Sequence, residues 1–402
     1  MARNKTKKTS TGLVFIISVV AIIIGLAAGL IAPLFVAQSY FTKNLTTDEL
    51  IETNDLFYSK KEYHAGHVDI NTEDADIAVH FIELGNKYTG DCTLIKVGDV
   101  EVLIDCGSRA DSVMTVSGYI NNYVKDGKLE YVIVTHAHQD HYAGFATPAK
   151  MNSIFDLYEC ENIITFAKTN QKDTNTTYKN YLRELNDEIA QGAKHYTADN
   201  CYDEEGGAKR IYELGAGYSM EILYNKYYWE KATTENDYSV CCMVSGNGKN
   251  FLFTGDLEKA GEEALVERYV TDHAPLAPDF KVDLYKAGHH GSKTSSNEAF
   301  LAVFKPEICC VCCCAGSPEY TKTKDNQFPT QAFIDRISEY TDKVYVTTLC
   351  VDYDKNEFVS FNGNIIVLVK GSDIDVKCSN NTTLLKDTDW FKGNRTCTAW
   401  ES

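Results

Sequence analysis

After residue 37 the 402-residue chain has no further apolar run long enough to cross a bilayer, and its basic residues fall well short of its acids. The first shortage argues against a transport-channel role for this polypeptide alone, because a channel needs many spans. The second leaves 39 Lys and Arg against 57 Asp and Glu, a net charge of −18. Proteins that hold nucleic acid usually present a basic face whose contacts release counterions, so this balance disfavours tight duplex binding. No internal repeat is apparent.

One long apolar run is present, Leu13 to Ala37, preceded by Arg3, Lys5, Lys7 and Lys8. Its length suits a membrane-spanning helix, and the positive-inside rule puts residues 1–12 in the cytoplasm and everything beyond the run on the outer face. A cleaved signal peptide is the alternative, but the run exceeds the usual apolar segment and no A-x-A site ends it. Residues 38–75 are polar and aperiodic and read as a stalk. The expected organisation is a tail at 1–12, an anchor at 13–37, the stalk, a catalytic domain at 76–371 and a C-terminal tail at 372–402.

Fourteen cysteines fit an external location awkwardly, since five crowd into Cys309, Cys310, Cys312, Cys313 and Cys314. Neighbours on one strand cannot all pair, so Ile308 to Ala315 reads as a buried strand with Cys as a small hydrophobe. Cys378 with Cys397, and Cys160 with Cys201, are candidate bridges.

From Ile77 short β-rich runs alternate with helical spacing and no composition break, which favours one layered α/β domain. Runs at Ile77–Leu84, Cys92–Val97 and Val100–Asp105 read as opening antiparallel strands. Ser112–Tyr123, Tyr178–Ala190, Lys259–Tyr269, Asn297–Phe304 and Gln331–Tyr340 read as helices. Further strands are expected at Tyr131–Val134, Ser219–Leu223, Tyr238–Val244, Asn250–Phe253, Val282–Lys286, Val344–Thr347 and Ile365–Val369. The stretch from Met151 to Tyr238 carries no interpretable motif.

Directly after the strand ending at Val134 comes Thr135-His136-Ala137-His138-Gln139-Asp140-His141. In an extended turn His136 and His138 point the same way, while Asp140 and His141 curl toward a second point nearby, a spacing that suits two metal ions. Imidazole and carboxylate ligands fit Zn²⁺ best, with Mn²⁺ or Fe as alternatives, and no thiolate in the motif selects a softer ion. Asp105, Asp256 and the pair His289-His290 likewise end strands. Neighbouring strands finish at a common edge, so these groups are expected to meet in space.

Five stretches in order, Phe81 to Gly85 with Gly90-Asp91, Leu103 to Gly107, Thr135 to His141, Leu252 to Asp256, and His289 to Ser296, resemble the metallo-β-lactamase superfamily, in the branch typified by the carboxy-terminal domain of ComEC-type competence proteins. The resemblance covers about Ile77 to Val369. It implies a four-layer αββα sandwich with a dinuclear zinc site at one edge. By the same likeness His136 and His138 bind the first metal, Asp140, His141 and one of the paired histidines the second, and Asp256 bridges. Asp105 is then the carboxylate that orients the histidine loop. His289, which follows Gly288, is favoured as the ligand, leaving His290 and Lys293 to meet the substrate.

Many superfamily members supply a third histidine to the first metal, whereas here only His195 lies between His141 and Asp256, without a recognisable motif. Paired divalent ions acidify a water and polarise the bond under attack, so hydrolysis is the expected chemistry. A phosphodiester is the leading substrate class: DNA, a phosphorylated wall polymer or a small phosphodiester. Amide, lactone or thioester hydrolysis is the second enzyme reading, and a non-catalytic sensor ectodomain on the same fold is the third.

Overall fold

A computed structural model describes residues 70–401 apart from Asp173. The expected anchor and all of the stalk before residue 70 lie outside the described residues. Among the described residues no helix is long and apolar enough to cross a membrane.

The first six strands, β1 (Ile77–Phe81), β2 (Thr93–Val97), β3 (Val100–Ile104), β4 (Lys128–Val134), β5 (Glu159–Thr165) and β6 (Lys194–Thr197), form one sheet. The next eight, β7 (Ile211–Gly215), β8 (Tyr218–Ile222), β9 (Cys242–Gly246), β10 (Lys249–Phe253), β11 (Leu284–Lys286), β12 (Ile308–Ala315), β13 (Val344–Asp352) and β14 (Glu357–Ser360), form a second. The chain then returns, and β15 (Ile365–Lys370) and β16 (Asp373–Cys378) complete the first sheet in the order β16-β15-β1-β2-β3-β4-β5-β6.

Both sheets are mixed, and their pairings repeat. From β1 to β6 the junctions run antiparallel, antiparallel, then three times parallel, and β8 to β13 follow the same order. The topology therefore carries a repeat that the residue identities conceal. Its consequence is positional: β3 and β4 in one half correspond to β10 and β11 in the other, and all four end at the candidate site.

β12 shows how the layers stack. Cys310 and Cys312 face the core between the sheets, while Cys309, Val311 and Cys313 face an outer core that includes Phe300, Leu301 and Phe304 of the helix Glu298–Phe304 and Phe333 and Ile337 of the helix Gln331–Ile337. A strand buried on both faces reads as an unbroken apolar run, which is why cysteine substitutes here for Val or Ile. On the other side, the helices Ser112–Ile120 and Thr176–Gln191 send Val116 and Tyr181 into the core of the first sheet.

Three expectations need correction. The two candidate disulfides are not formed, because all fourteen cysteines are free; Cys160 Sγ instead faces the Tyr158 carbonyl at 3.7 Å and Cys201 Sγ the Tyr212 hydroxyl at 3.4 Å. Of the tail expected at 372–402, residues 372–401 are not free. β16 extends the first sheet, Phe391 and Trp400 are buried in the outer core, and the buried Arg395 guanidinium donates to the carbonyls of Pro329, Lys324 and Gln327. The strand expected at Tyr238–Val244 begins only at Cys242, since Asn236–Tyr238 forms a short 3₁₀ turn.

Candidate metal centre

The site is assembled from the loops that follow β3, β4, β10 and β11, together with the loop between β1 and β2. A backbone ladder fixes three of them: Cys106 N–H donates to the His141 carbonyl at 2.7 Å, Gly107 N–H to the Asp91 carbonyl at 2.9 Å, and Asp91 N–H to the Asp140 carbonyl at 2.9 Å. Gly107 is required there, because a Cβ would lie 1.7 Å from the Asp140 carbonyl oxygen. The two sheets are tied by Val240 N–H donating to the Thr135 carbonyl, and the β11 turn is tied to the β10 turn by His289 N–H donating to the Gly255 carbonyl.

Asp256 lies at the centre and is 1% exposed. Its Oδ2 is 3.1 Å from His141 Nε2, 3.6 Å from His290 Nε2, 3.7 Å from His289 Nε2 and 3.9 Å from His136 Nε2. Neither carboxylate oxygen receives a well-aligned hydrogen bond. Residues more than a hundred positions apart thus converge, as the strand-end argument required. His138 joins through His136, Nδ1 to Nε2 at 3.1 Å, and Asp140 through His290 Nε2 at 3.5 Å.

The supporting contacts are specific. Asp105 accepts the Thr135 N–H at 2.8 Å, the Thr135 hydroxyl at 2.7 Å and the His141 Nδ1–H at 2.8 Å, so it fixes both the loop and one ring. His290 Nδ1 lies 2.9 Å from the Cys312 carbonyl and 3.1 Å from Asp91 Oδ1. Asp105, His289 and His290 adopt left-handed backbone conformations, with φ of 60°, 47° and 54°. Such conformations are uncommon for side-chain-bearing residues and cluster where surrounding structure over-determines them.

Of the two paired histidines, His290 is fully buried and belongs to a compact group with Asp91, His141 and Asp256, whose ligand atoms all lie within 4.8 Å of one another. His289 sits to one side with Nδ1 3.0 Å from the Thr294 hydroxyl. Lys293 is exposed. His195 lies on β6, its Nε2 2.9 Å from the Thr165 hydroxyl.

Four participants lacked a sequence-level role. Asp91 reaches the cluster from the loop before β2; Lys286, on β11, ion-pairs with it. Tyr320 donates its hydroxyl to Asp140 Oδ2 at 2.6 Å although the residue is 55% exposed. Ser239 Oγ accepts the Asp256 N–H at 3.0 Å and lies 3.3 Å from His136 Nδ1. The signal for Lys286 was available: a lysine closing the strand that leads into Gly288-His289-His290.

The electrostatics follow from crowding. Burial opposes charge on Asp256, but His141, His290 and His289 outweigh it and hold the carboxyl well below its ordinary range. Burial likewise works against the His290 imidazolium, yet Asp91 and Asp256 push it up to about 9. His136 is driven down, by burial first and by the neighbouring His141 charge second. Imidazoles around an anion that receives no aligned donor form a donor set suited to divalent cations, which displace the same protons. The residues present therefore fit a metal centre.

Two layered mixed sheets with a histidine and aspartate centre at their edge define a metallo-β-lactamase-fold protein. Within that class, the chain belongs to the family described as Anti-Pycsar protein Apyc1, whose model matches residues 82–294, just over half of the sequence. It is 28% identical over 187 residues to ComE operon protein 3 of Bacillus subtilis (strain 168), covering 45% of this chain and 19% of that protein. It is 31% identical over 119 residues to Competence protein ComA of Neisseria gonorrhoeae, covering 30% and 15% respectively. The chain thus spans less than a fifth of either competence relative. Among solved structures it is similar to the metallo-β-lactamase fold protein YhfI from Bacillus subtilis, with 15% identity, a TM-score of 0.30, and coverage of 52% of this chain and 70% of that one.

Proposed function

We propose that the protein is a dinuclear metal-dependent hydrolase acting on a phosphodiester, held at the membrane by residues 13–37 with its catalytic domain on the outer face. The observation that carries the reading is the buried Asp256 carboxylate, which receives no aligned hydrogen bond while four imidazoles surround it. An isolated buried carboxylate is costly, and cations are the natural complement.

In this reading His136 and His138 hold one ion, Asp140, His141 and His290 the other, and Asp256 serves both. Zn²⁺ suits the donors best, with Mn²⁺ or Fe as alternatives. Bound there, the ions supply an acidified water and withdraw charge from the group under attack. The protein's own part is positional. Asp105 keeps the His141 proton on Nδ1 and so presents Nε2 inward; the Cys312 carbonyl does the same for His290. His289, at the edge of the cluster, is placed to meet a substrate oxygen.

The anchor rests on Arg3, Lys5, Lys7 and Lys8 preceding the apolar run. The acidic net charge favours a small or polymeric phosphodiester over duplex nucleic acid.

The test is incubation of the full-length protein with bis-p-nitrophenyl phosphate and, separately, with nitrocefin. Zinc-dependent turnover of the phosphodiester, abolished by a chelator and restored by Zn²⁺, is expected. Turnover of nitrocefin alone would transfer the assignment to carbonyl substrates, and absence of metal from an unstripped preparation would favour the sensor reading.

A further inference from the structure

Lys286 is the only buried lysine among the described residues, at 3% exposure, and it sits on β11 three residues before His289. Its ammonium pairs with Asp91 Oδ2. Burying a lysine in a strand is expensive, and no packing need is met by it that Met or Leu would not meet. Asp91 is equally informative. Its Oδ1 is buried, receives no aligned hydrogen bond, and lies 3.1 Å from His290 Nδ1, whose own proton is aimed at the Cys312 carbonyl.

Asp91 thus stands with His141, Asp256 and His290 inside one coordination-sized group, where a carboxylate would bind a cation, yet a fixed positive charge occupies one of its oxygens. The other carboxylates are differently engaged. Asp105 is saturated by Thr135 and His141, Asp140 accepts from Tyr320, and Asp256 receives no aligned donor.

We infer that Lys286 withholds Asp91 from the metal centre and so keeps the centre one anionic ligand short. This rests on the metal-centre reading above. Catalytic centres differ from structural ones in retaining an open position, and a carboxylate neutralised by a lysine gives that opening without removing Asp91 as a neighbour of His290. Lys286 and Asp91 are positioning residues in this account. The ammonium also repels a nearby dication, so the arrangement gives up metal affinity in return for an accessible position.

The experiment measures Zn²⁺ affinity by chelator competition on full-length protein, wild type and three variants. Lys286→Met frees Asp91 and removes the repelling charge, so Zn²⁺ should bind at least tenfold more tightly, about 1.4 kcal/mol. Metal-free Lys286→Met should melt lower than wild type, and added Zn²⁺ should raise its Tm by more than it raises the wild-type value. Asp91→Asn leaves the ammonium unpaired beside the cations and should bind at least tenfold more weakly. The double variant Lys286→Met with Asp91→Asn should return to within about threefold of wild type, because both charges are gone.

A purely structural pair would weaken Zn²⁺ binding in both single variants; unchanged or weaker binding by folded Lys286→Met overturns the inference. If Lys286→Met does not fold, the double variant decides: affinity within about threefold of wild type supports the inference, and binding at least tenfold weaker overturns it, as does wild-type affinity in Asp91→Asn. Wild-type protein that binds no Zn²⁺ is a different result and removes the metal-centre reading itself.

Discussion

Replacing Asp105 by Asn is the most discriminating perturbation of the centre, because it changes charge and hydrogen bonding while leaving the backbone at ease. Asp105 has a φ of 60°, and Asn is among the residues that best tolerate that region. The carboxylate accepts three donors, one on Oδ1 and two on Oδ2. An amide oriented to keep its oxygen on the Thr135 N–H turns its NH₂ toward the Thr135 hydroxyl and the His141 ring. That ring then favours the tautomer with its proton on Nε2, the nitrogen 3.1 Å from Asp256 Oδ2 and 3.2 Å from His290 Nε2, and its inward lone pair is lost. A hydrogen bond to a charged acceptor contributes roughly 1.5–3 kcal/mol. Loss of the one to His141 corresponds to a fall of about 10- to 100-fold in metal affinity, in line with such outer partners elsewhere. Chelator competition with Zn²⁺ should show that fall, and turnover of bis-p-nitrophenyl phosphate at limiting Zn²⁺ should fall in parallel. Asp105→Asn protein that binds Zn²⁺ within twofold of wild type would refute the orienting role.

The remaining expectations are simpler. His138→Ala and Asp256→Ala should each abolish hydrolysis and lower the metal content found by elemental analysis; retained activity in either contradicts the ligand assignment. Cys310→Ser places a hydroxyl in the core between the sheets and should cost about 1–3 kcal/mol in urea unfolding with the Zn²⁺ affinity unchanged. His80 is wholly buried against Tyr119 and Tyr123, and burial first and Lys96 second lower its pKa to about 3. The native state then binds fewer protons than the unfolded chain, so this contribution to stability is complete above pH 6.5 and is lost as pH falls toward 3. At pH 5.5 the loss is about 1.4 kcal/mol for a site titrating near 6.5 when unfolded. Urea unfolding of the metal-free protein at pH 7 and 5.5 should show a smaller drop for His80→Phe than for wild type, and equal drops would count against the buried neutral ring.

The strands that carry chemistry were legible because each is followed within three residues by Asp or His. Phe251-Leu252-Phe253 before Thr254-Gly255-Asp256 is an example, and so is Val132-Ile133-Val134 before the histidine loop. What escaped lacks that contrast. β5 opens Glu159-Cys160-Glu161-Asn162 and β6 is Lys194-His195-Tyr196-Thr197 at the sheet edge, and neither has the apolar density of a recognisable parallel strand. β16 does alternate, Asp373-Ile374-Asp375-Val376-Lys377, yet its place after the last motif made it read as tail. Asp91 stood in the first of the resembling stretches, but nothing in the sequence assigned it a role at the centre. The choice between His289 and His290 turns on two consecutive left-handed residues, a conformation that the order Gly-His-His-Gly does not reveal.

The repeated pairing pattern has a mechanical corollary. Loops from one half of the sandwich supply Asp105 and the residues from His136 to His141, and loops from the other supply Asp256 and the histidines after β11, so an ion gripped by both would act as a rivet through the seam. Prising the halves apart would then require ejecting it. At a thousandfold excess of free ion over its dissociation constant such a rivet adds about 4 kcal/mol, and resistance to unfolding would track the supply of metal in the surroundings.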